Sequence, residues 1–199
     1  AERRKICRIL DTDMLSDIFE HIDQKQAAEY LDEMDVKKAA AILSAMETDA
    51  VVDVLKMTSK EKRSLLTELL DDDAKKDIAV IAAFDEDEIG SWMTTNCIVI
   101  RENLTVKQAM SSLVEQAAKN DNISTIFMVT EDQTFYGAMD LKDLIIARQD
   151  SALEDLIVTS YPYVYGHELI DDCIEKLKDY SADSIPVLNN NNKLLGVIT

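Results

Sequence analysis

The sequence predicts an α+β protein, in which an all-α superhelical repeat half is followed by two β-α-β-β-α units, the second of them cut short. Three observations carry this. All four glycines (Gly90, Gly137, Gly166, Gly196) and both prolines (Pro162, Pro186) lie at or beyond position 90, so the stretch before them holds no strong breaker. Apolar residues in that stretch recur at i, i+3, i+4, i+7, which is one face of a helix. From Asn96 onward the pattern changes to short apolar runs separated by turns.

In the first half a 12-residue repeat runs Thr12 to Asp23, Gln24 to Asp35, Val36 to Glu47 and Thr48 to Ser59, with a degenerate copy from Lys60 to Asp71. Its apolar columns are Leu15/Ile18/Phe19/Ile22, Ala27/Tyr30/Leu31/Met34, Ala39/Ile42/Leu43/Met46 and Val51/Val54/Leu55. In one continuous helix such a repeat would return its apolar face about 120° out of phase, at about 100° per residue. Each repeat is therefore expected to be its own short helix. The breaks fall at Asp11, Asp23, Asp35, Thr48 and Ser59, whose side chains can accept hydrogen bonds from the open amides of a following helix. Short amphipathic helices of this kind stack on their neighbours.

In the second half Cys97 to Ile100 is strand-like, Val106, Ala109, Met110 and Leu113 form a helix face, and Ile126 to Val129 is strand-like. After a turn from Glu131 to Thr134, Phe135 to Met139 is strand-like and Leu141 to Ala147 helical. The order then starts again with Tyr163 to Tyr165, a helix around Ile170, Cys173, Ile174 and Leu177, the run Ile185 to Leu188, four asparagines from Asn189 to Asn192, and Leu194 to Ile198. A terminal strand without its covering helix leaves apolar surface bare, so the chain is expected to be part of something longer.

Composition bounds the function. The 199 residues carry 39 Asp plus Glu against 21 Lys plus Arg, a formal charge of −18, which disfavours nucleic acid and anionic lipid as partners. The length and a hydrophobic share of 47% suffice for two buried cores. The longest apolar run, Ile78 to Phe84, falls far short of the roughly 20 residues needed to span a bilayer. The start Ala1-Glu2-Arg3-Arg4-Lys5 does not read as a signal peptide. Cys7, Cys97 and Cys173 are too scattered for a Cys-x-x-Cys motif and odd in number, so a reducing cytoplasm is expected, with the cysteines in cores.

The doubled unit, with Ile126-Phe127-Met128-Val129 then Gly137-Ala138-Met139-Asp140-Leu141-Lys142-Asp143, and Ser184-Ile185-Pro186-Val187 then Gly196-Val197-Ile198-Thr199, resembles a pair of CBS (cystathionine beta-synthase) domains over residues 93 to 199. Short acidic helical repeats leading through Phe84-Asp85-Glu86-Asp87-Glu88-Ile89-Gly90-Ser91-Trp92-Met93-Thr94 into the first such strand look like the cytoplasmic portion of MgtE-type magnesium channels. The family usually has a second glycine and an aliphatic residue where this chain has Ser91 and Trp92. The expected domains are a helical MgtE N-type domain at 1–92, a first CBS domain at 93–150 and an incomplete second one at 151–199. What the resemblance implies is a regulatory Mg²⁺ sensor, in which cations collect between helical and CBS domains and favour the closed pore. By aligned position the ligand acids are Asp17, Asp49 and Asp53 on the helical side and Asp171 on the CBS side, while another family acid falls on Ser181. A homodimer through the CBS domains, a transmembrane pore beyond Thr199 and a place on the cytoplasmic face of the membrane follow from the same resemblance.

Read by themselves, Asp49 and Asp53 lie four apart on one helical face, about 5 to 6 Å apart at Cβ. Two such carboxylates repel, and a hard divalent cation relieves the repulsion. Oxygen ligands with few His and no clustered Cys point to Mg²⁺ or Ca²⁺. The plainer alternative makes Asp49 a helix-start residue and Asp53 a solvated charge. The runs Asp71-Asp72-Asp73 and Asp85-Glu86-Asp87-Glu88 read as solvated linkers or helix starts. Lys142 and Asp143 sit where a CBS motif places groups for a nucleotide's phosphates and ribose. The family has arginine at the first of these, and Asp140 stands where CBS motifs carry Ser or Thr. An added carboxylate repels phosphate, so ATP is a candidate ligand expected to bind weakly or not at all. His21 and His167 read as isolated and Trp92 as a packing residue. With no catalytic constellation, an enzyme is not expected. Two rivals stand beside the sensor: an adenine-nucleotide-sensing CBS module of another transporter or enzyme, and an assembly protein with helical repeats similar to those of the flagellar motor switch protein.

Overall fold

Aspartate side chains start most of the short helices of the first half. The computed structural model describes residues 9–120, 122–149 and 151–199, apart from the side chain of Asp49; Cys7 lies outside the described residues. The helices are α1 (Thr12–His21), α2 (Gln24–Glu33), α3 (Val36–Leu43), α4 (Thr48–Met57), α5 (Lys60–Leu69) and α6 (Asp72–Ile81). Asp11 accepts from the Met14 amide, Asp23 from Lys25 and Gln26, Asp35 from Lys37 and Lys38, Ser59 from Lys62, and Asp71 from Ala74. Each cap satisfies a donor that the helix itself leaves open. The break expected at Thr48 falls one residue earlier, since a turn through Ala45 and Met46 closes α3 and leaves Glu47 as the N-cap. The Glu47 amide donates to Glu20 Oε1 at 2.7 Å. The run Asp71-Asp72-Asp73 is a helix start, where negative charge meets the positive end of the helix dipole.

Each helix packs on the one two places further along: α1 on α3, α2 on α4, α3 on α5 and α4 on α6. Leu15, Phe19, Leu31, Ile42 and Leu43 of the apolar columns make one continuous core with Leu66 and Leu70 of the degenerate copy. The chain divides into two units, residues 1–83 and 84–199, so the helical unit ends just after α6.

The second unit holds two three-stranded sheets. Strand β1 (Ile98–Arg101) pairs in parallel with β2 (Thr125–Val129), which pairs antiparallel with β3 (Phe135–Asp140). In the second sheet β4 (Val164–Tyr165) is parallel to β5 (Ile185–Leu188), and β5 antiparallel to β6 (Leu194–Ile198). Helices α7 (Val106–Gln116), α8 (Leu141–Ile146) and α9 (Ile170–Leu177) accompany them. Even the irregularities repeat: the register shifts at Met128/Val129 and at Val187/Leu188, and the hairpin residues Gln133 and Asn192 have φ of 68° and 58°.

The copies complete one another's sheets. Thr94, ahead of β1, exchanges both backbone hydrogen bonds with Val197 of β6, and Val158, ahead of β4, does the same with Ala138 of β3. These crossings need bare Cα atoms beside them: a Cβ on Gly196 would lie 2.5 Å from the Thr94 carbonyl oxygen, and one on Gly137 2.7 Å from that of Val158. Cys97, Phe127, Ala138 and Val197 then form a core drawn from both copies. Cys97 and Cys173 are buried.

Residues 84–92 belong to this unit through specific bonds. The Ile89 amide donates to the Glu168 carbonyl (2.9 Å), Gly90 to Gly166 (2.9 Å) and Ile170 to Asp87 (3.0 Å). The 3-10 turn Ile89–Trp92 buries Ile89, Gly90 and Ser91 and turns its fourth residue outward, leaving Trp92 62% exposed. The packing role expected of Trp92 is thereby corrected.

Candidate regulatory cation and nucleotide sites

The four acids implied as cation ligands have different surroundings. Asp17 is exposed on α1, and its carbonyl oxygen accepts from His21 Nδ1 at 2.7 Å. Asp49 and Asp53 share α4, one turn apart; the side chain of Asp49 lies outside the described residues. Asp53 is half-buried and engaged, since Gln24 Nε2 donates to its Oδ2 at 2.8 Å and Lys56 Nζ stands 3.6 Å from its Oδ1. Asp171 is exposed in the first turn of α9, where the helix dipole favours a carboxylate, and Ser181 is exposed beyond that helix. Among the described residues no group of three or more His, Cys, Asp or Glu side chains is gathered to hold a metal ion.

Around the start of α8, Lys142 is exposed and Asp143 half-buried, with Asp140 at the N-cap position. Across the same unit Tyr161 donates its hydroxyl to the Ser184 carbonyl at 2.9 Å, and its ring edge meets Phe127. Burial pushes the Tyr161 phenol up, a contact with Thr125 works the other way, and the charges of Asp140 and Asp183 push it further up. At the start of α8 a phosphate would meet Lys142 beside the carboxylates of Asp140 and Asp143.

Two titratable groups have partners that the sequence did not disclose. His167, expected to be isolated, has Nδ1 2.8 Å from Glu88 Oε1, and Glu88 Oε2 accepts from the Asp85 amide at 2.8 Å. The acidic run 85–88 is thus fastened through Glu88 and its backbone, while the side chains of Asp85, Glu86 and Asp87 are exposed as expected of a solvated run. The Asp85 amide first, and His167 second, hold the Glu88 carboxyl below the ordinary carboxylate range. Burial and the nearby Glu168 charge push the Cys173 thiol up to about 11, which leaves it an unreactive core residue.

Residues 1–87 match the MgtE intracellular N domain, and residues 88–150 and 153–199 match the CBS domain. The chain belongs to the CBS-domain family, with an MgtE N domain ahead of its CBS pair. It is similar to the magnesium transporter MgtE of Thermus thermophilus, 31% identical over 200 residues that make up 99% of this chain and 44% of that protein. The chain therefore spans less than half the length of that curated relative. Among solved structures, the soluble part of a magnesium transporter is 28% identical with a TM-score of 0.89, over 99% of this chain and 78% of that one. The cytosolic domain of the Mg²⁺ channel MgtE in complex with ATP is 25% identical with a TM-score of 0.92, over 100% of this chain and 81% of that one. The MgtE N domain with a CBS pair is the combination that the sequence resemblance implies, and the flagellar-type assembly rival lacks its CBS half. Among the described residues no helix is long and apolar enough to cross a membrane.

Proposed function

We propose that these two units are the Mg²⁺-sensing regulatory region of a magnesium transporter or channel, lying on the cytoplasmic face of the membrane ahead of a transmembrane pore, without catalytic activity. The observation that supports this most is the likeness to the soluble part of a magnesium transporter along 99% of the chain. The charge of −18 supplies the physics. At low Mg²⁺ the acids of the two units repel; at high Mg²⁺ ions held by Asp17, Asp49 and Asp53 from the helical unit and Asp171 from the CBS unit offset the repulsion and favour the closed pore. The oxygen-only donor set suits a hard cation that keeps several of its waters.

The contacts of Asp53 set a cost. A cation there must displace or share with Lys56, and a partly exposed ion pair of that kind contributes about 0 to 1 kcal/mol. That cost is already contained in the dissociation constant the site would show, and at ten times that constant one site stabilises the bound form by about 1.4 kcal/mol. The domains proposed are a helical N domain ending just after α6, a first CBS domain that takes in the segment 84–92 ahead of 93–150, and a second CBS domain at 151–199. A homodimer through the CBS half suits the exposed apolar side chains of Val114 on α7, Ile145 and Ile146 on α8 and Ile174 on α9, which a two-fold partner would cover.

The test is X-ray scattering and thermal unfolding in MgCl₂ against NaCl of equal ionic strength, for the natural chain and for Asp49→Asn/Asp53→Asn. Mg²⁺ is expected to compact and stabilise the natural chain beyond the screening that NaCl provides, and the double variant to lose much of that excess. Identical curves in the two salts would sink the sensor, whereas an undiminished response in the variant would sink the site alone. The same scattering gives the mass, expected to be twice the 22.4 kDa of one chain.

The adenine-nucleotide reading is favoured by one observation, the ATP held by a solved relative. The residues here fit that ligand poorly: Lys142 and Asp143 would meet its phosphates and ribose, and Asp140 repels the phosphates. Calorimetry is expected to find weak ATP binding, and low-micromolar affinity would decide for the nucleotide sensor.

A further inference from the structure

Residues 84–90 are fastened to the turn between β4 and α9 by more than a CBS copy requires. Glu88 faces Leu169 as Ala152 faces Thr105, and Thr94 faces Val197 as Val158 faces Ala138, which aligns the two copies residue by residue. Phe84, Glu88 and Gly90 then correspond to Arg148, Ala152 and Glu154, while Gly166 and His167 correspond to Glu102 and Asn103. At the first location the Phe84 ring lies on the bare Cα atoms of Gly90 and Gly166, and a Cβ at either would come within 2.6 Å of it. The His167 ring packs on Phe84 with centroids 4.8 Å apart, and its Nδ1 reaches Glu88. At the second location the Thr105–Ala152 bridge persists although all five of these residues differ. A CBS copy folds without them.

We propose that residues 84–90 form a proton-responsive strap, gripped on the β4–α9 turn by the Glu88–His167 ion pair and loosened as the imidazole loses its proton. An imidazole changes charge between about pH 5 and 8. Protonated, it gives Glu88 a charge-assisted bond; neutral, it gives an ordinary and weaker one. The charged groups around the pair are mostly acids. Asp85, Glu86 and Asp87 lie on the strap, Glu168 in the turn is partly neutralised by Lys176 at 3.2 Å, and Asp171 and Asp172 open α9.

The two groups act in opposite directions with pH. The contribution of Glu88 is present above the ordinary carboxylate range and is lost as pH falls through its lowered folded value. An imidazole in general is charged at low pH and loses that charge as pH rises. Grip is therefore firmest in weakly acid solution. Loosening frees the strap's own residues and lengthens the connection ahead of the CBS unit.

The experiment is amide hydrogen exchange by NMR on the intact chain at about pH 5.5 and about pH 8, corrected for intrinsic rates. The Ile89 and Gly90 amides, which donate to Glu168 and Gly166, report the strap; the Ala138 amide, bonded to Val158, is the reference. Strap protection is expected to fall by about two- to fivefold at the higher pH, the range of a partly exposed ion pair, with the reference unchanged. His167→Gln and Glu88→Gln should each abolish the pH dependence. Equal strap protection at both pH values in the natural chain would overturn the proposal, as would a pH dependence that survives in His167→Gln.

Discussion

The two CBS copies start their first helix in different ways. Thr105 caps α7 with a reciprocal box, its Oγ1 accepting from the Gln108 amide at 3.3 Å and Gln108 Oε1 accepting from the Thr105 amide at 3.0 Å. The corresponding N-cap of α9 is Leu169, which has no side-chain acceptor. There the first helical amide, Ile170, finds its acceptor in the Asp87 carbonyl of the strap. Both helix starts are bridged to a distant segment, Thr105 to Ala152 and Leu169 to Glu88, but only α7 adds a side-chain cap of its own. A helix with its own cap depends less on that bridge than one without.

The largest expected effect tests whether the strap is peculiar to one copy. Phe84→Ala empties the seat between Gly90 and Gly166 and should destabilise the CBS unit by about 3 to 5 kcal/mol in urea unfolding. Arg148→Ala, at the exposed equivalent position, should stay within about 0.5 kcal/mol. Equal losses from the two would erase the distinction. Next come the features the copies share: Gly196→Ala and Gly137→Ala each press a methyl on a backbone oxygen and should each cost about 1 to 3 kcal/mol. A neutral result at Gly137 alone would mean that the crossing there is looser. The smallest effects sharpen the capping contrast. Thr105→Ala should cost about 1 kcal/mol, and Leu169→Thr should gain up to about 1 kcal/mol, both read by thermal unfolding. A loss from Leu169→Thr would show that its apolar side chain does more there than an acceptor could.

Reach along the chain decided what could be read from sequence. Asp11, Asp23, Asp35 and Ser59 were legible because each cap bonds an amide two or three residues ahead. Glu47 displaced Thr48 because its amide is held by Glu20, 27 residues away. Strands showed as apolar runs, yet nothing local in Thr94 or Val158 tells of the strand each one crosses to. The candidate site divides the same way. That Asp49 and Asp53 share a helix face follows from their spacing, but the tie of Asp53 to Gln24 spans 29 residues. His167 meets Glu88 across 79, and no periodicity links them.

The Thr94–Val197 rung has a mechanical consequence. Its two hydrogen bonds, 2.8 and 2.9 Å long, join the chain where it enters the first sheet to the last strand of the second. Because the pairing is antiparallel, a pull on the chain before Thr94 against the chain after Val197 peels the rung open from one end. Such a pull meets the strap bonds of Ile89 and Gly90 and the buried Met93 side chain first, and only then these two bonds, each contributing about 1 kcal/mol. The CBS unit is in this sense a ring closed by a clasp, and the segment ahead of Thr94 shields the clasp from tension.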